Sequence, residues 1–183
     1  ESGIAEAFSA RLTQAMGALT MGPGSATSVN VGPLVNSATR SKVASLVAEA
    51  VAAGATLELG GHTPEGPGFY YPPTVLTGVS SDAEILHTEI FGPVAPIVTF
   101  TTEEEGVELA NNTEYGLVSY VYTADLARGL RVSERIEAGM VGINRGLVSD
   151  PAAPFGGVKE SGLGREGGVE GLLAFTETKY ISV

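Results

Sequence analysis

Apolar side chains near the start of the chain recur at the spacing of one face of an α-helix. The residues that set this spacing are Ile4, Phe8, Leu12, Met16 and Leu19. Residues 21–33 are rich in glycine, serine and proline. A second helical set follows at Val43, Leu46, Val47, Ala50 and Val51. The pattern therefore predicts two amphipathic helices, and Ala-Ala-Gly at 52–54 is expected to end the second.

The pattern then changes to short extended segments separated by turn residues. Thr56–Leu59 is strand-like, and residues 60–68 are rich in loop formers. Residues 70–79 indicate extended chain but contain Pro72 and Pro73, which cannot donate to a sheet ladder. We therefore expect this segment at a sheet edge or outside a sheet.

From residue 96 onward the alternation of segments is regular. Strands are predicted at 96–100, 117–122 and 140–144, and helices at 102–111 and 124–136. Strands alternating with helices at this spacing are typical of parallel strands joined by crossovers, with helices on both faces of the sheet. The chain is therefore predicted to be α/β with a largely parallel sheet. A short helix is expected at 169–174 and an extended segment at 176–183.

Composition excludes several classes of partner. The 10 basic and 21 acidic residues give a net charge of −11, which repels phosphate backbones and anionic lipid. No apolar run approaches the roughly 20 residues of a membrane span, and no signal segment opens the chain. We therefore expect no nucleic-acid or membrane partner and a cytoplasmic location. With no cysteine and two histidines without ligand-like spacing, no metal site is expected.

The most informative short run is Glu-Ile-Phe-Gly-Pro at 89–93. A carboxylate can bind sugar hydroxyls, an aromatic ring can lie against a flat ligand, and Gly-Pro restricts the backbone. This combination suits a cofactor site. The alternative is an apolar strand end and turn in which Glu89 is a solvated surface acid.

A glycine-rich connection between residues 144 and 170 follows a predicted strand, where α/β sheets place ligand crevices. Residues 162–167 within it match the dinucleotide pattern G-x-G-x-x-G. That pattern requires a preceding strand and an acidic residue about 20 positions later, and both are missing here. We therefore interpret the glycines as a close-packed backbone turn.

Taken together, these motifs resemble the carboxy-terminal half of aldehyde dehydrogenases, in order and spacing. They are Glu-Ile-Phe-Gly-Pro at 89–93, Pro-Phe-Gly-Gly-Val-Lys-Glu-Ser-Gly-Leu-Gly-Arg-Glu at 154–166, Thr-Glu-Thr-Lys-Tyr at 176–180, Gly-Pro-Leu-Val at 32–35 and Tyr-Pro-Pro-Thr-Val-Leu at 71–76. The resemblance covers essentially the whole chain. Within the family, residues 139–149 are most similar to succinate-semialdehyde dehydrogenases.

The resemblance implies an NAD- or NADP-dependent oxidation of a small aldehyde, with NADP favoured and succinate semialdehyde as the expected substrate. It places the catalytic cysteine and the general-base glutamate upstream of this chain, so no catalytic residue is expected here and the chain alone should be inactive. Residues 1–175 would form part of the catalytic domain. A non-catalytic assembly or binding module that retains the fold is the alternative.

Five residues match the family's binding positions. By resemblance, Glu89 binds the nicotinamide ribose, Phe91 lies beside the nicotinamide, and Phe155 lines the substrate tunnel. Lys42 aligns with a basic residue near the adenosine half of the cofactor, or is a solvated helix lysine. Ser149 matches a hydroxyl directed at the distal carboxylate of the substrate, or is a loop serine without that role.

The same resemblance implies a homo-oligomer, a dimer or tetramer. Residues 176–183 match a strand that pairs across subunits, and Arg165 and Glu177 match an ion pair near that interface. Two positions depart from the family pattern. Thr88 replaces an acid, and Arg145 stands where a smaller or acidic residue is expected. Arg145 could hold a carboxylate or pair with one of the 21 acids.

Overall fold

The computed structural model describes residues 1–183, and the chain divides into two units, residues 1–102 and 103–183. The elements of the first unit are α1 (Ser2–Gly17), α2 (Ser37–Ala52), β1 (Thr56–Leu59), β2 (Thr74–Thr77), a 3-10 turn (Glu84–Leu86) and β3 (Val94–Pro96). Both predicted helices and the first predicted strand are confirmed. No residue of α1 is buried within this chain.

The core of the first unit lies where α2 packs over its sheet. The side chain of Asn36 accepts a hydrogen bond from the backbone of Thr39 at 2.8 Å and caps the start of α2. The buried face of the helix has the predicted spacing and consists of Val43, Leu46, Val47 and Ala50. These side chains contact Tyr71, Leu76 and Ile85 in one apolar cluster. Burial of this face, rather than helix propensity, therefore holds α2 in place.

The placement of residues 70–79 at a sheet edge is wrong. The sheet order is β1-β2-β3, with β1 antiparallel and β3 parallel to β2, so β2 is the central strand. Thr74, Val75 and Leu76 are completely buried. Pro72 and Pro73 precede the strand rather than interrupt it, and the first ladder N–H, that of Thr74, donates to the carbonyl of Pro93 at 2.8 Å.

The strand predicted at 96–100 is shifted. β3 begins at Val94 and ends at Pro96, and it pairs with β2 alone. Proline has no N–H to offer a further strand, which suits the edge position of β3. The predicted parallel strands are therefore divided between separate sheets, since β3 joins β2 and the two later strands pair with each other.

The second unit contains the remaining elements. They are α3 (Glu103–Asn111), β4 (Tyr115–Gly116), β5 (Val118–Val121), α4 (Leu126–Arg135), β6 (Met140–Ile143), β7 (Val158–Lys159) and α5 (Gly168–Leu173). β5 and β6 are parallel and connected through α4, whereas β4 and β7 are antiparallel. The helices and strands predicted between 102 and 144, and the short helix near the end, are confirmed. With helices alternating with parallel strands, the α/β class is confirmed as well.

Helix α4 lies close to β6. The carboxylate of Asp125 accepts hydrogen bonds from the backbone of Ala127 and Arg128 and caps the helix start. Gly129 is buried, and a Cβ at this position would lie 3.1 Å from a methyl carbon of Ile143. The crossover helix therefore sits directly on the strand that leads into the glycine-rich connection.

No strand is assigned to residues 176–183, and all of them are exposed. A strand assignment needs a hydrogen-bonded partner strand, which a single chain does not offer to this segment. The oligomerisation strand therefore stays a prediction. None of the helices has the length and apolarity needed to cross a membrane.

An ion-pair network ties α3 to α4. Arg131 binds both carboxylate oxygens of Glu103, with Nε to Oε1 at 2.8 Å and Nη2 to Oε2 at 2.7 Å. Arg128 and Arg135 each lie 3.6 Å from the same carboxylate. The hydrogen bond from Arg131, reinforced by the charges of all three arginines, lowers the pKa of Glu103 below its ordinary value.

We expect Glu103→Gln to lower the melting temperature at neutral pH, and the difference from the parent protein to shrink as pH falls. A depressed pKa in the folded state contributes stability above the ordinary pKa of 4.5, and this stability is lost as pH falls through the folded value. Added salt should also reduce the difference. Thermal melts from pH 7 to pH 3 provide the measurement.

Glu104→Gln is the matched control, because its carboxylate is 68% exposed and makes one ion pair, to Arg135 at 3.5 Å. Exposed pairs of this kind contribute little. Equal effects of the two substitutions would contradict the special role of Glu103.

Candidate functional site

The turn at residues 89–93 connects the 3-10 turn to β3. Phe91 has a backbone φ of 49° and is 70% exposed. A bulky residue in the left-handed region is strained, and an exposed ring buries little surface in return. Strain without compensating burial is typical of residues kept for ligand binding rather than for folding. The ring of Phe91 is thus available to a flat ligand.

The turn is packed against α2. A Cβ on Gly92 would lie 2.9 Å from a methyl carbon of Val43, so only glycine allows this approach. Pro93 accepts the hydrogen bond from Thr74 described above, which joins the end of the turn to the central strand. Phe91 is therefore presented from a rigid support.

Glu89 is exposed, and its carboxylate has no ion-pair partner in the structure. Its backbone carbonyl is engaged, because the ammonium of Lys42 donates a hydrogen bond to it at 2.6 Å. The structure therefore places the Lys42 ammonium at the turn that carries Glu89 and Phe91, a contact that the sequence did not predict. Lys42 is an exposed residue of α2 whose charged end is hydrogen bonded to this turn, and its predicted place near the adenosine half of a cofactor stays a prediction.

In the second unit, Asn144 fixes the exit from β6. Its backbone φ is 52°, a conformation that asparagine tolerates better than most residues. Its side-chain oxygen accepts from the Thr123 N–H at 2.9 Å, and its side-chain nitrogen donates to the Thr123 carbonyl at 2.8 Å. The sequence prediction missed this role, although an asparagine directly after a strand is a recognisable turn signal.

The segment after Asn144 turns back over β6. A Cβ on Gly142 would lie 2.9 Å from a methyl carbon of Val148, so the segment approaches the strand at that glycine. Arg145 and Ser149 are both exposed. Arg145 makes no ion pair with any acid in the structure, so that alternative for its role is wrong. Its guanidinium remains available to an anion.

Phe155 lies further along the same connection and is half-buried. Its backbone N–H and carbonyl both hydrogen bond to Glu166, each at 2.7 Å. This pairing holds Phe155 at the base of the glycine-rich turn. The structure brings Ser149 and Phe155 into one connection, while Lys42, Glu89 and Phe91 form the group in the first unit.

The predicted ion pair between Arg165 and Glu177 is absent. Nη1 of Arg165 instead donates to the carbonyls of Gly157, Leu163 and Gly164, at 2.7, 3.2 and 2.8 Å. The glycine-rich turn exposes these carbonyls at close range, so they satisfy the guanidinium without a distant carboxylate. A Cβ on Gly156 would overlap the carbonyl oxygen of Gly164, as expected for a close-packed turn.

No grouping of three or more acidic or histidine side chains suitable for a metal ion occurs in the structure. Two sets of exposed groups are candidates for ligand binding. In the first unit they are the carboxylate of Glu89 and the ring of Phe91, and in the second unit the guanidinium of Arg145 and the hydroxyl of Ser149.

Comparison with known proteins gives the family of this chain. The aldehyde dehydrogenase family model matches residues 1–181. The succinate-semialdehyde dehydrogenase of Paenarthrobacter nicotinovorans is 52% identical over 183 residues, which are 100% of this chain and 41% of that protein.

Two solved structures are also similar. The succinate-semialdehyde dehydrogenase of Burkholderia pseudomallei is 48% identical with a TM-score of 0.89, over 92% of this chain and 35% of that one. A Mycobacterium tuberculosis aldehyde dehydrogenase complexed with NAD+ is 40% identical with a TM-score of 0.90, over 96% and 36% respectively. The chain thus spans well under half the length of the relatives that it matches. Because the family model covers almost every residue, the chain belongs to the aldehyde dehydrogenase family.

Proposed function

We propose that this chain supplies the nicotinamide-binding turn and the substrate-binding connection of an NAD(P)-dependent dehydrogenase that oxidises succinate semialdehyde to succinate. The observation that carries this proposal is the exposed Phe91 on a strained backbone, two residues after the exposed Glu89, whose carboxylate makes no ion pair. Similarity to succinate-semialdehyde dehydrogenases at 52% and 48% identity supports the choice of substrate.

The turn fits a nicotinamide nucleoside. The carboxylate of Glu89 can accept hydrogen bonds from two neighbouring ribose hydroxyls, and the ring of Phe91 can lie beside the planar nicotinamide. When bound, the cofactor supplies the acceptor for the hydride that leaves the aldehyde carbon. The contribution of Glu89 and Phe91 is to orient that acceptor, since small displacements reduce transfer rates strongly.

The connection after β6 suits the far end of the substrate. A guanidinium binds a carboxylate through paired hydrogen bonds, and a hydroxyl can add one more. We therefore assign the distal carboxylate of succinate semialdehyde to Arg145 and Ser149, and a wall of the substrate tunnel to Phe155. Arg145 extends the set by one residue that is free of acidic partners in this chain.

The nucleophile and the general base are proposed to lie outside these residues. The 183 residues contain no cysteine, whereas the family reaction begins with a thiolate. We expect the chain alone to be inactive. The proposed reaction therefore belongs to the protein encoded by the complete reading frame, and the experiments below use that protein. It is proposed to be a cytoplasmic homo-oligomer, a dimer or tetramer.

Replacing Glu89 with Gln should weaken cofactor binding and slow hydride transfer. The expected loss is about 1.5–3 kcal/mol of binding or activation free energy, the contribution of a hydrogen bond to a charged group. Thioester hydrolysis should change less, because it does not need the nicotinamide ring in position. Calorimetric titration with NAD+ and NADP+ and single-turnover kinetics separate the two effects. Glu65→Gln, which removes an exposed acid in the loop at 60–68, is the control. Unchanged cofactor binding and an unchanged hydride-transfer rate would remove Glu89 from the cofactor site.

Replacing Phe91 should separate folding from binding. Phe91→Gly should raise the free energy of unfolding relative to Phe91→Ala by about 1 kcal/mol, because glycine alone relieves the left-handed backbone. Both variants should weaken cofactor binding to the same degree, since both lose the ring. Chemical denaturation and titration with NAD+ and NADP+ measure the two effects. A large loss of stability in both variants with unchanged binding would make Phe91 a packing residue.

Ser149→Ala should lower kcat/KM for succinate semialdehyde by a factor equivalent to roughly 1–3 kcal/mol of transition-state stabilisation. The kcat/KM for butanal should stay nearly unchanged. Arg145→Gln should also lower kcat/KM for succinate semialdehyde more than for butanal, since butanal has no carboxylate for the guanidinium to bind. Butanal is the internal control, because it has the same chain length without the acid. Equal losses for both aldehydes would contradict the carboxylate assignment.

A further inference from the structure

We propose that Lys42 is a positioning residue, whose ammonium fixes the backbone of Glu89 and thereby directs the Glu89 carboxylate and the Phe91 ring. This inference rests on the proposed function of the turn. It differs from the expectation that Lys42 lies near the adenosine half of the cofactor, because the observed partner of its ammonium is a backbone carbonyl.

Lys42 projects from a fixed point. The next residue, Val43, is completely buried and packs beside Gly92. One and two turns further along α2, Leu46, Val47 and Ala50 anchor the helix in the core. The base of the Lys42 side chain therefore cannot shift without moving the core, and its ammonium reaches the turn over a defined distance.

The turn needs this contact. Thr88 is held through its backbone N–H by the Glu84 carbonyl, and the Gly92 carbonyl accepts from Val94 at 2.8 Å. Between them, the one backbone group of residues 89–91 that the structure shows hydrogen bonded is the Glu89 carbonyl, bound by Lys42 at 2.6 Å. Phe91 is strained within this stretch. Lys42 is therefore the single polar anchor of the part of the turn that carries both proposed cofactor groups.

The contact is a charge-assisted hydrogen bond of short length, which belongs to the stronger class. An ammonium has three donors, and the carbonyl occupies one. If Lys42 contacted the cofactor directly, replacing it would reduce cofactor affinity whether or not Glu89 and Phe91 were present. If Lys42 positions those two residues, the reduction in affinity should require them, and this difference can be measured.

The experiment is a double-mutant cycle in the protein encoded by the complete reading frame. Lys42→Met keeps the aliphatic stem and removes the donors. We expect it to raise the calorimetric Kd for NAD+ and NADP+ about tenfold, the lower range for a hydrogen bond to a charged group. The KM for the aldehyde should stay within about twofold, because the turn is assigned to the cofactor alone. In a Glu89→Gln, Phe91→Ala background the same substitution should change Kd by less than about twofold, since the groups that it positions are gone.

Arg40→Met is the matched control. Arg40 lies on the same helix and donates to a backbone carbonyl, that of Gly68, at 3.0 Å, with its guanidinium over the ring of Phe69. The Arg40→Met variant loses a charge and a hydrogen bond to a carbonyl outside the turn, so its cofactor affinity should be unchanged. Melting temperatures of both variants show whether α2 stays folded.

The outcomes are distinct. A tenfold loss that persists in the Glu89→Gln, Phe91→Ala background would overturn the positioning role and make Lys42 a direct cofactor contact. No loss with Lys42→Met, while Glu89→Gln and Phe91→Ala weaken binding, would overturn this inference and leave the proposed function standing. Unchanged affinity in the Glu89→Gln, Phe91→Ala background itself would overturn the proposed function of the turn.

Discussion

The packing of α2 on the buried central strand β2 is the interaction on which the candidate cofactor turn depends. Val43 is completely buried, and it also fills the space beside Gly92. The same strand supplies the N–H of Thr74 that binds Pro93. Because core packing is dense and resists deformation, a turn that packs against the core is held rigidly. The position of the exposed Phe91 ring is thus set by the buried residues beneath the turn.

Two residues at the candidate sites have strained backbone conformations. Phe91 and Asn144 both adopt left-handed backbone conformations, and each follows or precedes a strand by a few residues. Asn144 is compensated by two hydrogen bonds of its own side chain to Thr123. Phe91 has no such compensation, and its neighbour Glu89 is held from outside by Lys42. This contrast is the reason that the proposed binding role falls on Phe91 and not on Asn144.

Membership of the aldehyde dehydrogenase family is what connects the two candidate groups in the proposed function. The carboxylate and ring of the first are proposed for a nicotinamide nucleoside, and the guanidinium and hydroxyl of the second for the acid end of an aldehyde. The net charge of −11 opposes the approach of an anionic substrate in general. The arginine after β6 is a local positive charge, which is why the proposed function assigns the substrate carboxylate to it.

Sequence periodicity by itself determined both helices of the first unit, the crossover helix α4 and the strands beside it, because burial of one face repeats with the period of the element. Resemblance to the family selected Glu89, Phe91, Ser149 and Phe155 as candidate binding residues, and their roles stay predictions. Which strand is central was decided by pairing, since Pro72 and Pro73 end just before β2 rather than within it. The spacing of apolar residues also could not show that β3 pairs with β2.

The partners of the charged side chains were decided by tertiary structure alone. Lys42 binds a carbonyl 47 residues away, and Arg165 binds three carbonyls of its own turn instead of Glu177. A charged side chain is long and flexible, so its partner depends on which acceptors the folded backbone brings within reach. Local sequence determines the elements because their hydrogen bonds and buried faces are local. It does not determine such contacts, because they form only after the elements have packed.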